Sequence, residues 1–526
     1  MLSRTWPAAQ ETHQANTLFH FPLPEGGADV VLRVTDARGV VVIPAYYLAD
    51  SVERLPDGLG KEELKPVLSA ASAASREKAD SPARQPTRAG AGFRGIWFSL
   101  GKKFKHGDKY SGGLGTYTAN HVPMAVYAPA AQKTFFVYGG TSAADEQRLQ
   151  AMISFYDHQT GRVARPVIVH EKQDVNDPHD NPSLNLDDKG HVWVFVSGRG
   201  QVRPGLIYRS ARPHSIDGFE LIKTGEFTYP QPWFESGRGF FHLLTKYRGA
   251  AAGAQSAREL YWSTTPNGKT WSDDQKLAGF GGHYQVSAQH GGKIGTFFNY
   301  HPRGDVDKRT NLYYAQTTDW GKTWTTAEGK PLELPLTIPK NAALVLDLEA
   351  QNELMYGCDL NWDKEGNPVL LYVASRHGDP GAQGDPREVR VAHFDGQTWR
   401  HHRVTGCDHN YDMGSLWVQD NRWRVIGPFL PGPQKGQTGG EMGVWESSDA
   451  GNTWKLQKQI TIDSPRNHSY ARRPAVAHDG FYAFWADGDP NRLSESRLYF
   501  SDAGGKVFRL PYDMAESTAR PEAVEP

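Results

Sequence analysis

The chain has 526 residues, with 58 basic against 59 acidic side chains and a net charge of -1. That balance excludes a global field for recruiting nucleic acid or an anionic membrane surface, so neither partner is expected and an anionic ligand must meet a local basic cluster. Only two cysteines, Cys358 and Cys407, exclude a disulfide-stapled scaffold, no apolar run approaches the ~20 residues of a membrane span, and 55 Gly and 34 Pro beside 15 Trp and 22 Tyr suit a β-protein full of tight turns.

The opening MLSRTWPAAQETHQ lacks the apolar core of a signal peptide. TLFHFPL and ADVVLRVTDARGVVVIPAYYLA read as strands, and residues 61–92 as a short helix followed by a Pro/Ala/Ser-rich connector. Residues 1–100 are therefore expected to form a β-rich segment and linker.

From there the chain repeats. Hairpins begin at His121, His179, Tyr229, His283, Cys358, Cys407 and Tyr470, and a following strand starts near Met152, Leu206, Leu260, Leu312, Val389, Val444 and Leu498. The second set is spaced 54, 54, 52, 77, 55 and 54 residues apart, the regularity of a propeller or solenoid. The long gap predicts an insertion between the fourth and fifth units, around residues 335–350. Runs such as HVWVFVSG, GFFHLLTKY and PVLLYVAS have strand length and turn-rich borders, and helical periodicity is scarce. Turns of the Asp-box pattern, TTDWGKTW ending at Trp324 and SSDAGNTW ending at Trp454, with degenerate copies at Trp271, Trp399 and Phe508, mark the outer strands as scaffold. The fold class predicted is all-β, a seven-bladed β-propeller over residues 101–515. Residues 516–526 are expected to be a loosely held tail.

A hairpin returns to the end where it began, so one rim of the ring collects the residues that open and close each unit. In the second and third units these are His179, Arg199, Tyr229 and Arg248. An imidazole, a phenol and two guanidiniums suit β-elimination on a uronic acid. Arg248 would bind the carboxylate as charge builds on it, while His179 and Tyr229 would act as base and acid. Each residue also has a plainer use: His179 can bond the turn around Asp177 and Asp180, Tyr229 can be an edge aromatic, and Arg248 can pair with a rim carboxylate. Their shared register favours chemistry.

The runs HDNPSLNLDDKGHVWVFVSGRG, TYPQPW and TKYRG, followed by Asp-box units, resemble the BNR-repeat propeller family that includes the ulvan lyases. The resemblance implies a lyase centre of His179, Tyr229 and Arg248, with Tyr284 as a further family tyrosine. Where the ulvan lyases carry a second His, this chain has Arg199, which keeps the charge and removes a titrating base. Arg199, His121, Tyr247 and Tyr284 are the expected substrate-binding residues. The wider propeller group resembles enzymes acting on rhamnose-glucuronate caps, both lyases and a rhamnosidase.

No cofactor is expected for catalysis. His283, His301, Cys358, Cys407 and His409 fall in three successive units and are candidate ligands for a structural metal ion, zinc or calcium, although no tight C-x-x-C or H-x-x-x-H spacing is present. The cysteines are equally candidates for a disulfide or for two buried thiols. The reading is a secreted or periplasmic, monomeric polysaccharide lyase acting on an anionic, uronate-containing polysaccharide. The alternatives are a glycoside hydrolase (a rhamnosidase or a sialidase) and a non-catalytic sugar-binding propeller.

Overall fold

The structure, a computed structural model, describes residues 30–36, 39–45, 84–99, 101–114, 120–143, 146, 148–172, 175, 177–200, 203–248 and 257–525, with the main chain alone for 30–36, 39–45 and 84–86. The chain divides into two units, Met1–Pro82 and Ala83–Pro526. In the first, Val30–Asp36 and Gly39–Ala45 form an antiparallel hairpin with Val30 opposite Ala45, in keeping with the strands read from ADVVLRVTDARGVVVIPAYYLA. The strand expected at 17–23 lies outside the described residues, as does most of the helix and connector expected at 61–92.

In the second unit seven antiparallel four-stranded blades follow one another along the chain; the second to sixth are separate sheets, and the first and seventh are joined into one larger sheet. Their first strands are Ala125–Ala128, Pro182–Leu186, Thr228–Glu235, Gln285–His290, Leu354–Trp362, Ser415–Gln419 and Asn467–Arg472. We number the blades one to seven in that order. Second strands such as Val192–Val196 and Pro368–Ser375 are buried along their whole length, which explains why they read as continuous apolar runs rather than alternating ones. Side chains on the inner strands tie blades two to seven in succession: Ser183 donates to Pro230 O at 2.7 Å, Trp233 Nε1 to Ser287 Oγ at 2.8 Å, Asn299 of the second strand of blade four to Met355 O at 3.3 Å, Asn361 to Leu416 O at 2.8 Å, and Ser415 to Ala471 O at 2.9 Å. The ring closes where Ala475 N bonds Ala125 O and Tyr127 N bonds Val476 O, both at 2.9 Å. The long fourth repeat is explained within blade four, where residues 318–343 separate the strand Thr310–Thr317 from the last strand Leu344–Leu346. The insertion therefore sits inside that blade and not between blades.

The Asp boxes pin the turn before the outermost strand. Asp319 Oδ1 accepts from Thr323 N at 2.9 Å, and Asp449 Oδ1 accepts from Thr453 N at the same distance. Gly321, with φ of +86°, needs the left-handed backbone, and a Cβ there would lie 2.5 Å from Trp262 Nε1 on the neighbouring blade.

Two expectations are corrected. The compact unit starts near Ala83 and not at residue 101: Arg94–Gly95 pairs both with Gly140 of blade one and with Ser496 and Arg497 of blade seven, bridging the closure. The residues after 515 are not loose, because Thr518–Ala519 pairs with Val163 and Ala164 of blade one and Glu522–Val524 with Val507–Arg509 of blade seven. Paired backbone amides order a terminus that its polar composition alone would leave free.

Candidate active site

Pro178–Asp180 forms a single 3-10 turn ahead of blade two, capped by Asp177, whose Oδ1 accepts from His179 N at 3.0 Å. The same carboxylate bonds His179 Nδ1. A carboxylate only accepts, so the imidazole proton is placed on Nδ1 and Nε2 becomes the basic nitrogen. Burial pushes the His179 imidazole below its ordinary range, with Asp177 working against that shift. Burial raises Asp177 in turn, yet His179 and Arg199 hold its carboxyl well below the usual carboxylate range. Its other oxygen accepts from Arg199 Nη1 at 2.7 Å and Arg203 Nη2 at 2.6 Å. His121 is fully buried next to them, its Nε2 3.1 Å from His179 O, and burial drives its imidazole down to about 3.

Tyr229 sits on a β-bulge between Thr228 and Gln231 of blade three, with φ of +54°. A bulky residue in left-handed backbone is strained, and such strain collects at working sites. Tyr470 has the same kind of bulge and φ of +51°, but its hydroxyl bonds Ser111 O, so the bulge alone is a scaffold trait. What distinguishes Tyr229 is its company. Blade two delivers Ser197 Oγ to its amide at 3.0 Å. Its ring centroid lies 5.2 Å from His121, 5.5 Å from His179 and 5.6 Å from Tyr284, and Tyr284 lies 4.9 Å from His301. Rings from the entries of blades one to four thus form one continuous track on the predicted rim.

The arginine in that track is not Arg248. Along Gly239–Arg248 successive side chains alternate between faces, and the one that shares the track is Tyr247. Arg248 bonds Glu226 Oε1 at 2.6 Å and lies over the Tyr261 ring at 5.5 Å. Opposite Tyr247 stands Arg258, whose guanidinium lies 4.8 Å from the centre of Tyr247 and 5.4 Å from that of Tyr284. Arg309 of blade four stacks on Tyr284 from another side, at 4.4 Å. Burial raises the Tyr284 phenol, but Arg258 and Arg309, together with a hydrogen bond from Tyr229, bring it below the ordinary phenol range. For Tyr247 burial prevails and the phenol is raised.

Arg258 and Arg309 were open to discovery from the sequence. Arg203, Arg258, Arg309 and Arg387 each stand two or three residues before the repeat markers of the third strands, Leu206, Leu260, Leu312 and Val389. A cation repeated at one position of four units marks one rim, a signal separate from the residues at the hairpin ends.

The candidate metal ligands do not converge. Among the described residues no group of three or more His, Cys, Asp or Glu side chains is arranged to hold a metal ion. His283 Nδ1 engages Asn299 O at 2.8 Å and its Nε2 accepts from Phe280 N; His409 Nε2 contacts Asp108 O at 3.3 Å. Cys358 lies in the middle of a strand and not at its opening, and both it and Cys407 are free thiols. His301 belongs instead to the ring track beside Tyr284.

Comparison with known proteins agrees with the architecture. A solved structure described as a PL25 ulvan lyase bound to -[GlcA(1-4)Rha3S]- superposes with a TM-score of 0.61 at 17% identity, covering 79% of this chain and 96% of that one. An ulvan lyase of Nonlabens ulvanivorans is 20% identical over 349 residues, 58% of this chain and 71% of its own length. Ulvan Lyase-PL25 of Pseudoalteromonas sp. (strain PLSV) is 22% identical over 290 residues, 47% of this chain and 58% of its own, less than two thirds of that relative. The model of the BNR repeat-containing family matches residues 138–411, more than half of the sequence, and the chain belongs to that family.

Proposed function

We propose that the protein is a polysaccharide lyase that cleaves beside a uronic acid, with a glucuronate-rhamnose 3-sulfate polymer of the ulvan type as the substrate class. One observation carries the reading: an Asp-oriented imidazole, two phenols in ring contact and the Arg258 guanidinium share one rim of the ring. In the elimination the C5–H bond breaks, a C4–C5 double bond forms, and the C4–O4 bond breaks with its electron pair leaving on oxygen. Negative charge builds on the carboxylate, where a bidentate guanidinium stabilises the transition state more than the ground state. Arg258 takes that role, which the sequence suggested for Arg248. His179 and Tyr229 flank the proton that moves from C5 to O4 and divide the acid and base work. Arg199 lies at the exposed edge of the site and Tyr247 beside Arg258, while His121, expected to bind substrate, is fully buried and backs His179 and Tyr229.

The names of the relatives support this substrate class, and a polymeric substrate places the enzyme's work outside the cytoplasm. Hydrolysis is disfavoured by the rim's own acids. A hydrolase of the common type needs two carboxylates free to act on one glycosidic bond. Here Asp177 is bonded to His179, Arg199 and Arg203, and Asp180 to Lys172 and Arg203.

Incubation with ulvan checks the proposal. New reducing ends should appear in step with the ultraviolet absorbance of a 4,5-unsaturated uronate. Reducing ends without that absorbance would assign a hydrolase, and binding without new ends a lectin-like propeller.

A further inference from the structure

Arg309 is buried, with 2% of its surface exposed, and is in none of the ion pairs of the described residues; the Asp307 carboxylate, paired with Lys109, acts on it only from farther off. Its Nε donates to Val306 O at 3.0 Å, and its Nη2 has no hydrogen-bond partner. Aromatic faces take the place of an acid: the guanidinium carbon lies 4.4, 4.9 and 5.1 Å from the ring centres of Tyr284, Tyr356 and Tyr411. Between Tyr284 and Arg309 runs a small cavity of about 10 Å³ that also touches Asn120 and Asn299, room for about one water. A charge kept in such a place without an acid partner is costly unless it does something. Of its three ring neighbours, Tyr356 accepts from Asn410 Nδ2 at 3.1 Å and Tyr411 packs on Tyr110 and Tyr356. The third, Tyr284, is the ring that meets Tyr229.

We propose that Arg309 is a positioning residue for the elimination, one that stabilises a single negative charge shared by the Tyr284 and Tyr229 phenols and so makes this pair the carrier of the proton. The inference rests on the lyase reading above and moves to the Tyr284 phenol the share of the proton work given there to His179. The pair begins with one proton over two oxygens, the C5 proton arrives on Tyr229, and the neutral pair returns a proton to O4 as the C4–O4 bond breaks. Protons and electrons balance without a further acid or base. His179 then orients Tyr229 and stays neutral.

Other charged groups face the pair. Arg258 and Arg199 act on Tyr284 in the same sense as Arg309, and the charge on Tyr284 in turn raises the phenols of Tyr247, Tyr110 and Tyr411. His301, which touches the Tyr284 ring, is held neutral by burial and by both arginines. Arg258 is the strongest cation acting on the Tyr284 phenol and Arg309, whose guanidinium lies nearest the ring, is the next, so part of the acidic limb of the pH–rate profile is set through Arg309.

Two measurements test this. Without substrate, an ultraviolet pH titration of the whole protein should show one tyrosinate forming below the ordinary phenol range, and Tyr284→Phe should lack it; if the two proteins titrate alike, the proposal is overturned. With ulvan, Arg309→Met should move the acidic limb of kcat/KM up by about one pH unit or more, losing about tenfold at neutral pH and recovering in alkali, while Arg309→Lys should stay close to the parent. An unshifted limb with a uniform loss of rate would mean that Arg309 only supports the fold. A parent protein without turnover on ulvan would sink the lyase reading, and the titration would still decide the charge on Tyr284.

Discussion

Arg248 and Arg258 lie on adjacent strands of one blade and carry the same charge, yet only one faces the phenols. Their difference in surroundings predicts a difference in kinetics. Arg258→Ala removes the guanidinium beside Tyr247 and Tyr284, so it should lower kcat/KM on a uronate polymer by about 100-fold or more, the scale of losing a charge-stabilising donor. Arg248→Ala breaks a half-exposed pair with Glu226 and should change kcat/KM less than severalfold. Steady-state rates on the two variants check both statements, and the opposite order would return the carboxylate-binding role to Arg248. The sequence made His179, Tyr229 and Arg199 legible because each sits at the end of a hairpin whose length fixes which rim it reaches. Facing is another matter. Whether Tyr247 or Arg248 points into the site depends on strand parity beyond the bulge at Tyr229, and a bulge leaves no mark in a single sequence that distinguishes it from a regular strand. The metal ligands failed for a related reason: Cys358 falls in mid-strand, so the shared repeat position that suggested convergence was not a shared place in space.

At the scale of elements, the Asp boxes hold one blade against the next. Trp324, at the end of the blade-four box, is 2% exposed and stands 5.2 Å from the Trp262 ring and 6.1 Å from Phe241, both on blade three. Trp324→Ala should cost about 3–5 kcal/mol of stability through the cavity it leaves. The measurement is thermal or urea unfolding beside the rate at a temperature well below the melting point. Stability should fall and kcat should hold, because the box lies at the outer strands and the ring track at the strand entries. These boxes were also the most readable part of the fold, since their Asp, Gly and Trp do local work: a carboxylate bonds nearby amides, a glycine takes positive φ, and an indole covers the turn. Pairing between distant segments carries no such local signature.

The whole ring depends on the seam between blades seven and one, where both ends of the second unit are used as fasteners. Phe93 N bonds Pro511 O at 2.9 Å and Met514 N bonds Ala91 O at 2.8 Å. Arg165 N bonds Ser517 O at 2.8 Å, and Thr518–Ala519 and Glu522–Val524 extend blades one and seven. Met514 is buried in the same core cluster as Phe93, Phe136 and Phe484, so this terminal stretch contributes to the core as well as to the ladder. Deleting the residues after Pro511 should therefore remove about 2 kcal/mol for the methionine and about 1 kcal/mol for each backbone bond lost, lowering the melting temperature by several degrees. The acidic limb of the rate profile gives the control. Tyr229, Tyr284, Arg258 and Arg309 belong to blades three and four, away from the seam, so the truncated protein should melt early while its limb stays where the full chain has it. A truncation that leaves melting unchanged would mean that the closure is carried by Arg94–Gly95 and the blade one to blade seven backbone bonds alone.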